Sequence, residues 1–283
     1  MKMNWLTLVA VGVVILFFLI GAGCLEQENP GVTGNIPVPR HEIMEQHLQN
    51  VTASIRYSLI GLDTNMSETA VSLGRSGISG PDADTILKAA TASHPAILTI
   101  ITYDGNGTVR AAEPENAKIL LGQNLSDQDV VRVALSTKKP MMSDLFPLAQ
   151  DGTGMSVAYP VYSPDGTFLG VASMVYVPYD LITPIVDHEI NRTPYSFQVL
   201  QVGARILYDP DPGEVGRETF NETLYAKFPE IARVAGRMAE NRTGYDTYSF
   251  YSTGFGRVVG KETFWSTVSL HNTEWRVMII GEL

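Results

Sequence analysis

Between residues 44 and 73 apolar side chains recur every third or fourth position: Met44, Leu48, Val51, Ile55, Leu59, Leu62, Met66, Ala70 and Leu73. That period is the stripe of one amphipathic helix. At about 1.5 Å per residue the helix runs roughly 44 Å, the length of a two-domain body. Gly74 and the Gly80-Pro81 pair end it. A short helix near 82–92 follows, and the period then falls to that of strands. Residues 96–102 and 108–112 flank Asp104-Gly105-Asn106-Gly107, a strong hairpin turn. Residues 126–137 predict a helix with Ser126 as N-cap. A hairpin over 154–177, turning at Ser163-Pro164-Asp165-Gly166, completes a five-stranded antiparallel sheet, and 178–189 reads as a connecting helix.

The second half repeats this plan in shorter form. Segments 196–202 and 205–208 pair across Gly203, and a helix follows at 222–240. Strands over 245–251 and 257–264 then lead to a terminal hairpin over 264–280. The pattern predicts an α+β protein in which a long N-terminal helix packs on two tandem modules with antiparallel sheets. The expected divisions are 1–23 as a signal or anchor segment, 24–38 as a flexible tether and 39–81 as the long helix. Residues 82–190 form the first module and 191–283 the second.

The N-terminus changes the picture of location. Lys2 precedes an uncharged stretch from residue 5 to 22, after which come Gly23 and Cys24, the single cysteine of the chain. A basic end, an apolar body and small residues before a cut form a secretory signal. Cys24 directly after Gly21-Ala22-Gly23 fits a lipoprotein signal in which that cysteine carries the lipid. An uncleaved membrane-spanning helix is the alternative, since eighteen residues are just enough to cross. Either way residues 25–283 lie on the extracytoplasmic face, tethered at the membrane. Asn-x-Ser/Thr occurs at Asn50, Asn65, Asn106, Asn124, Asn191, Asn221 and Asn241, which fits an exported chain.

Composition narrows the function. A formal net charge of −10, with no basic run longer than Lys138-Lys139, excludes a nucleic-acid partner. Ser136-Thr137-Lys138-Lys139 matches the Ser-x-x-Lys of some hydrolases, but the companion motifs are missing. The five histidines are scattered, His41 and His47 at the wrong spacing for one helix face. Neither a metal nor a cofactor is expected. Asp209, Asp211 and Glu214 could hold calcium, although the alternating Pro210 and Pro212 read more simply as an extended loop. No nucleophile, base and orienting group assemble, so the chain is not expected to be an enzyme. Lys261 is less bland: a lysine inside an apolar strand needs a partner, and a ligand carboxylate could be one.

The long helix, the Y-D-G-N-G-T-V-R string, K-K-P-M-M-S and Y-P-V-Y-S-P-D-G-T-F-L-G-V together resemble the double Cache sensor domains, PAS-like extracytoplasmic ligand-binding modules. The second half, with Q-V-G-A-R-I-L-Y-D-P-D-P and W-S-T-V-S-L-H-N-T-E-W-R-V, is similar to the membrane-proximal module of archaeal members. Family members continue into a membrane helix and an output domain, whereas this chain ends at Leu283. The resemblance therefore implies a tethered sensor without its own output domain, reporting to a separate transmembrane sensor or transporter partner. A substrate-binding lipoprotein of a transporter and a surface module for protein contact are the alternatives. Amino-acid-binding members use an Arg, aromatics and carboxylates in the membrane-distal pocket. Here those positions fall on Gln128, Val130, Val131, Phe146, Leu148 and Val175, with Tyr103, Ser143 and Tyr159 as neutral donors. The resemblance thus implies a distal ligand that is small and largely uncharged, or an anion bound through those neutral donors, and not an ordinary amino acid, because unpaired buried charges cost several kcal/mol. The lipoprotein reading predicts that Cys24→Ser releases the protein from membranes or leaves an unprocessed precursor. Membrane attachment at the mature mass would refute it.

Overall fold

The protein is described here from a computed structural model covering residues 39–148, 152–220, 225–252 and 256–283. The signal segment, the tether and Cys24 lie outside the described residues. Helix α1 (Arg40–Ser76) contains the whole predicted stripe, and all nine of its apolar positions are buried. At 37 residues it spans about 55 Å. Helix α2 (Pro81–Thr91) starts on Pro81, whose missing N–H is no loss in the first turn.

The first sheet contains β1 (Ile97–Tyr103), β2 (Val109–Glu113), β3 (Met141–Met142), β4 (Phe146–Pro147), β5 (Thr153–Tyr162) and β6 (Phe168–Tyr176), all pairings antiparallel. Its order is β2-β1-β6-β5-β3, with β4 as a sixth strand on the far end of β5. Helix α3 (Asp129–Thr137) lies between β2 and β3. It starts later than its sequence predicts, with Gln128 at the N-cap position and no side-chain cap bond. Ser126 instead donates its backbone N–H to Asn124 Oδ1 in a local turn.

Helix α4 (Pro178–Ile190) leads into the second sheet, of order β8-β7-β11-β10-β9. Its strands are β7 (Ser196–Gln201), β8 (Ile206–Tyr208), β9 (Gly244–Tyr251), β10 (Val258–Leu270) and β11 (Thr273–Glu282). The two segments expected at 257–264 and 264–270 are one continuous strand of 13 residues. It turns into β11 at His271, which takes a left-handed φ of 51°. Helix α5 (Pro229–Glu240) begins well after residue 222, because Pro229 supplies the first helical turn.

Strand alternation divides each sheet into two faces. On the first sheet Met155, Val157, Val161, Ala172, Met174 and Tyr176 face α1 in the main core. Ile101, Tyr103, Val109, Ala158 and Val171 form a separate cluster with Val131 and Ala134 of α3. On the second sheet Phe197, Val199, Val268, Trp275, Val277 and Ile279 join the α1 core, while Leu200, Trp265 and Met278 face Val234 and Met238 of α5. One helix therefore covers one face of both sheets.

Polar contacts register α1 on each module. Thr52 and Ser266 share a hydroxyl hydrogen bond at 2.6 Å, and Arg56 Nη2 donates to the Thr267 carbonyl at 3.2 Å. Asp63 accepts from Tyr159 Oη at 2.7 Å and pairs with His271 Nε2 at 2.8 Å, so one carboxylate touches both sheets. The modules also meet directly. Gln201 donates to Asp144 Oδ1 and accepts from the Leu145 N–H, and Thr273 donates to the Met142 carbonyl. Several sequon asparagines serve the fold. Asn50 and Asn65, both on α1, donate their amide nitrogens to Glu189 and to the Ala90 carbonyl.

The helix approaches β5 most closely at Gly74, where an added Cβ would collide with the Tyr162 carbonyl oxygen. Gly61, on the exposed side of the same helix, has open space around it. Gly61→Ala is expected to stabilise by about 0.5–1 kcal/mol through helix propensity. Gly74→Ala, with the same propensity gain, is expected to destabilise by about 1–3 kcal/mol through overpacking. Denaturant titration of the two variants tests the contrast, and equal signs would contradict the helix placement.

Candidate functional site

A cavity of about 700 Å³ opens in the second module, between the sheet face turned away from α1, helix α5 and the loop after β8. The sheet supplies the floor: Gln198 and Leu200 from β7, Met278 and Ile280 from β11, Lys261 from β10, and Tyr248 and Phe250 from β9. Helix α5 turns Ile231, Val234, Ala235 and Met238 toward it, the apolar stripe expected of a helix covering a sheet. The size falls in the ordinary range for small-molecule sites.

The Asp209-Pro210-Asp211-Pro212 loop forms one wall. Two successive turns hold it, in which Asp209 Oδ1 accepts from the Asp211 N–H at 2.8 Å and Asp211 Oδ1 from the Gly213 N–H at 2.9 Å. These carboxylates fix backbone, and no His/Cys/Asp/Glu group arranged to hold a metal occurs among the described residues. Asp209 Oδ2 accepts from Gln198 Nε2 at 2.7 Å. Glu214 is neutralised by Arg217 at 2.7 Å and accepts from Tyr225 Oη at 3.0 Å.

Lys261 is the cation of the cavity. Its ammonium lies 5.7 Å from the centroid of the Phe250 ring, and among the described residues it makes no ion pair. Burial lowers its pKa, opposed by the charges of Glu282 and Asp209. Burial raises the Asp209 carboxyl, a shift that the bonds from Asp211 and Gln198 only partly offset. Burial also pushes the Tyr248 and Tyr225 hydroxyls up. A half-buried ammonium and a half-buried carboxylate thus share one apolar space, beyond ion-pair distance of each other.

The first-module residues singled out from the sequence are dispersed. Tyr103, Val130 and Val131 meet in the apolar cluster under α3. Leu148 and Val175 approach one another around Gly154, beside Phe146 on β4. Ser143 Oγ accepts from the Ser156 N–H and donates to the Asp144 carbonyl. Tyr159 sits on the opposite face, toward α1, bonded to Asp63. The Tyr103 hydroxyl is buried with no hydrogen-bond partner among the described residues. Of the cavity residues, Lys261, Asp209, Asp211 and Glu214 carry a sequence signal of their own, a charge in an apolar strand and a proline-spaced acidic loop. The cavity itself has none, because it arises where α5 stands off from the sheet.

Residues 58–178, the second half of α1 and the first module, match the family described as HK/GC/Chemotaxis protein-like, sensor domain. No curated protein matches the chain in sequence. Among solved structures, an extracellular ligand binding receptor from Desulfohalobium retbaense DSM5692 superposes with a TM-score of 0.70 at 20% identity, over 86% of this chain and 41% of that one. The chain therefore spans about two fifths of that receptor. The ligand-binding domain of the Pseudomonas aeruginosa PAO1 amino acid chemoreceptor PctB, in complex with L-Gln, gives 0.59 at 15% identity over 84% and 89%. That of the Pseudomonas fluorescens chemoreceptor CtaA, in complex with L-isoleucine, gives 0.60 at 14% over 86% and 91%. At such identities the likeness is one of fold. A long helix with two antiparallel-sheet modules is the arrangement of double Cache chemoreceptor domains.

The roof of the cavity is held electrostatically. Buried Asp246 of β9 accepts from Arg233 at 2.5 Å and Arg237 at 2.8 Å, both on α5. Burial pushes its carboxyl up, but the two arginines and the Thr247 N–H outweigh that and leave it below the usual carboxylate range. A carboxyl depressed in the folded state stabilises fully above its unfolded pKa of about 3.9 and loses that contribution as pH falls through the folded value. The midpoint of thermal unfolding of Asp246→Asn should therefore lie below wild type at neutral pH, and the gap should close below about pH 4. A gap independent of pH would show that the charge does not pin α5.

Proposed function

We propose that this protein is a membrane-tethered extracytoplasmic sensor module whose small-molecule ligand occupies the second-module cavity. The observation carrying this reading is the cavity itself, a largely apolar space whose lysine makes no ion pair among the described residues, in a fold shared with chemoreceptor ligand-binding domains. The sensor-family match of the first module supports the signalling role. Among the described residues no helix is long and apolar enough to cross a membrane. Attachment in this reading runs through the N-terminus and Cys24, and occupancy is reported to a separate membrane partner. A transporter-feeding lipoprotein is the weaker alternative, since that class is built on parallel strands with crossover helices and both sheets here are antiparallel.

A second reading keeps the ligand in the first module, beside Tyr103, Val130 and Val131 under α3. The Tyr103 hydroxyl favours it, since among the described residues it has no partner and a buried hydroxyl usually has one. A ligand at that site would be neutral and small. Two variants of the full chain in detergent separate the readings, scored by calorimetry against organic acids, amino acids and sugars. Ala235→Trp fills the second cavity and should abolish the response. Tyr103→Phe should leave it unchanged, with stability equal or raised, since removing an unsatisfied hydroxyl relieves a desolvation cost of about 1–3 kcal/mol. The reverse pattern would move the site to the first module.

A further inference from the structure

We infer that the second-module cavity takes a small organic carboxylate, its acid group seated on Lys261, its apolar body over the sheet floor, and a hydrogen-bond donor at its far end facing Asp209. This rests on the preceding assignment of the cavity as the ligand site and specifies the chemistry that site would take.

Three observations combine. Lys261 projects into the cavity without an ion pair among the described residues, over the Phe250 ring and opposite the exposed Glu282 in the β10–β11 register. A half-buried ammonium in that position gains most from a carboxylate that enters with the ligand. Of the carboxylates around the cavity, Glu214 already has Arg217 and Tyr225. Asp211 is committed to the Gly213 N–H at the rim, and Glu282 is exposed. Asp209 is different. It is half-buried, each oxygen accepts one bond, and a carboxylate has about four acceptor sites. Its remaining acceptor capacity calls for a donor, a hydroxyl or an ammonium. Between the two charges Leu200, Met278 and Ile280 offer only apolar contact.

A ligand bearing only negative charge would meet Lys261 but also the carboxylate of Asp209. One bearing only positive charge would meet Asp209 but compete with Lys261. The molecule that satisfies both is acid at one end and donor at the other. Lys261 lies on β10 and Asp209 just after β8, so the reader residues sit on separate elements of the sheet. They therefore also set a length requirement on the ligand.

The experiment uses the full chain in detergent and three series of short- to medium-chain probes: simple monocarboxylates, their primary amides, and the same acids with a terminal hydroxyl or ammonium. Calorimetry should rank the terminally substituted acids tightest and the amides weakest. The hydroxyl and ammonium arms identify which donor Asp209 prefers. Lys261→Met should weaken acids about 10- to 100-fold and leave amides unchanged, as expected for a charged hydrogen bond. Lys261→Arg should retain acid binding. Asp209→Asn should erase the advantage of the ammonium-bearing acids over the simple ones. Amides that bind as tightly as acids, yet are lost in Ala235→Trp, would overturn the carboxylate inference and leave the cavity as the site. Acid binding that survives Ala235→Trp would remove both. Failure of every acid to bind would overturn the inference.

Discussion

Neither sheet can stand without α1. Each is apolar on the face turned toward that helix, with Trp275, Val277 and Ile279 on one and Val157, Met174 and Tyr176 on the other. Exposed, those faces would be contiguous hydrophobic patches of a kind monomeric proteins avoid. A single helix with an apolar residue at every third or fourth position meets the need for both. Asp63 marks the midpoint of this arrangement, touching Tyr159 of the first sheet and His271 of the second. The remaining architecture follows from that shared cover, including the short contacts of Gln201 and Thr273 with the β3–β4 segment.

The faces turned away from α1 differ between the modules. In the first, α3 lies directly on the sheet, and Val131 and Ala134 fill the space against Ile101, Tyr103 and Val171. In the second, α5 is held at its edge by Asp246 with Arg233 and Arg237, and the loop after β8 holds the opposite wall apart. Ile231, Val234, Ala235 and Met238 face the opening from the helix. A module with the same plan thus closes over its sheet in one case and leaves a chamber in the other.

The sequence made the scaffold legible because scaffold signals are periodic. The stripe from Met44 to Leu73 and the alternation of the hairpins repeat many times over, so single irregular residues do not obscure them. Boundaries were harder. Ser126 has the chemistry of an N-cap but spends its N–H in a turn, and α5 starts at Pro229 rather than near residue 222. Tyr159 shows the limit of reading faces by analogy, since a shift of one residue along a strand reverses the side on which a side chain lies. The cavity was beyond reach for a further reason. It depends on the separation between a helix and a sheet distant in sequence, whereas Lys261 and Asp209, whose charges are local facts, stood out directly.

Along β10, Lys261 faces the cavity and Glu262 faces the opposite side, where it meets Arg40 and His41 at the first turn of α1. Arg40 lies 2.7 Å from Glu262 as an ion pair whose geometry misses that of a hydrogen bond. Its Nη2 donates to the backbone carbonyl of Glu282, a residue that also borders the cavity. One strand's thickness is thus all that separates the interior of the chamber from the point where the chain leaves toward its N-terminus. The strand is a partition with a charge on either side. The cation that lines the chamber and the carboxylate that anchors the first turn of the longest helix are thus consecutive residues of one strand.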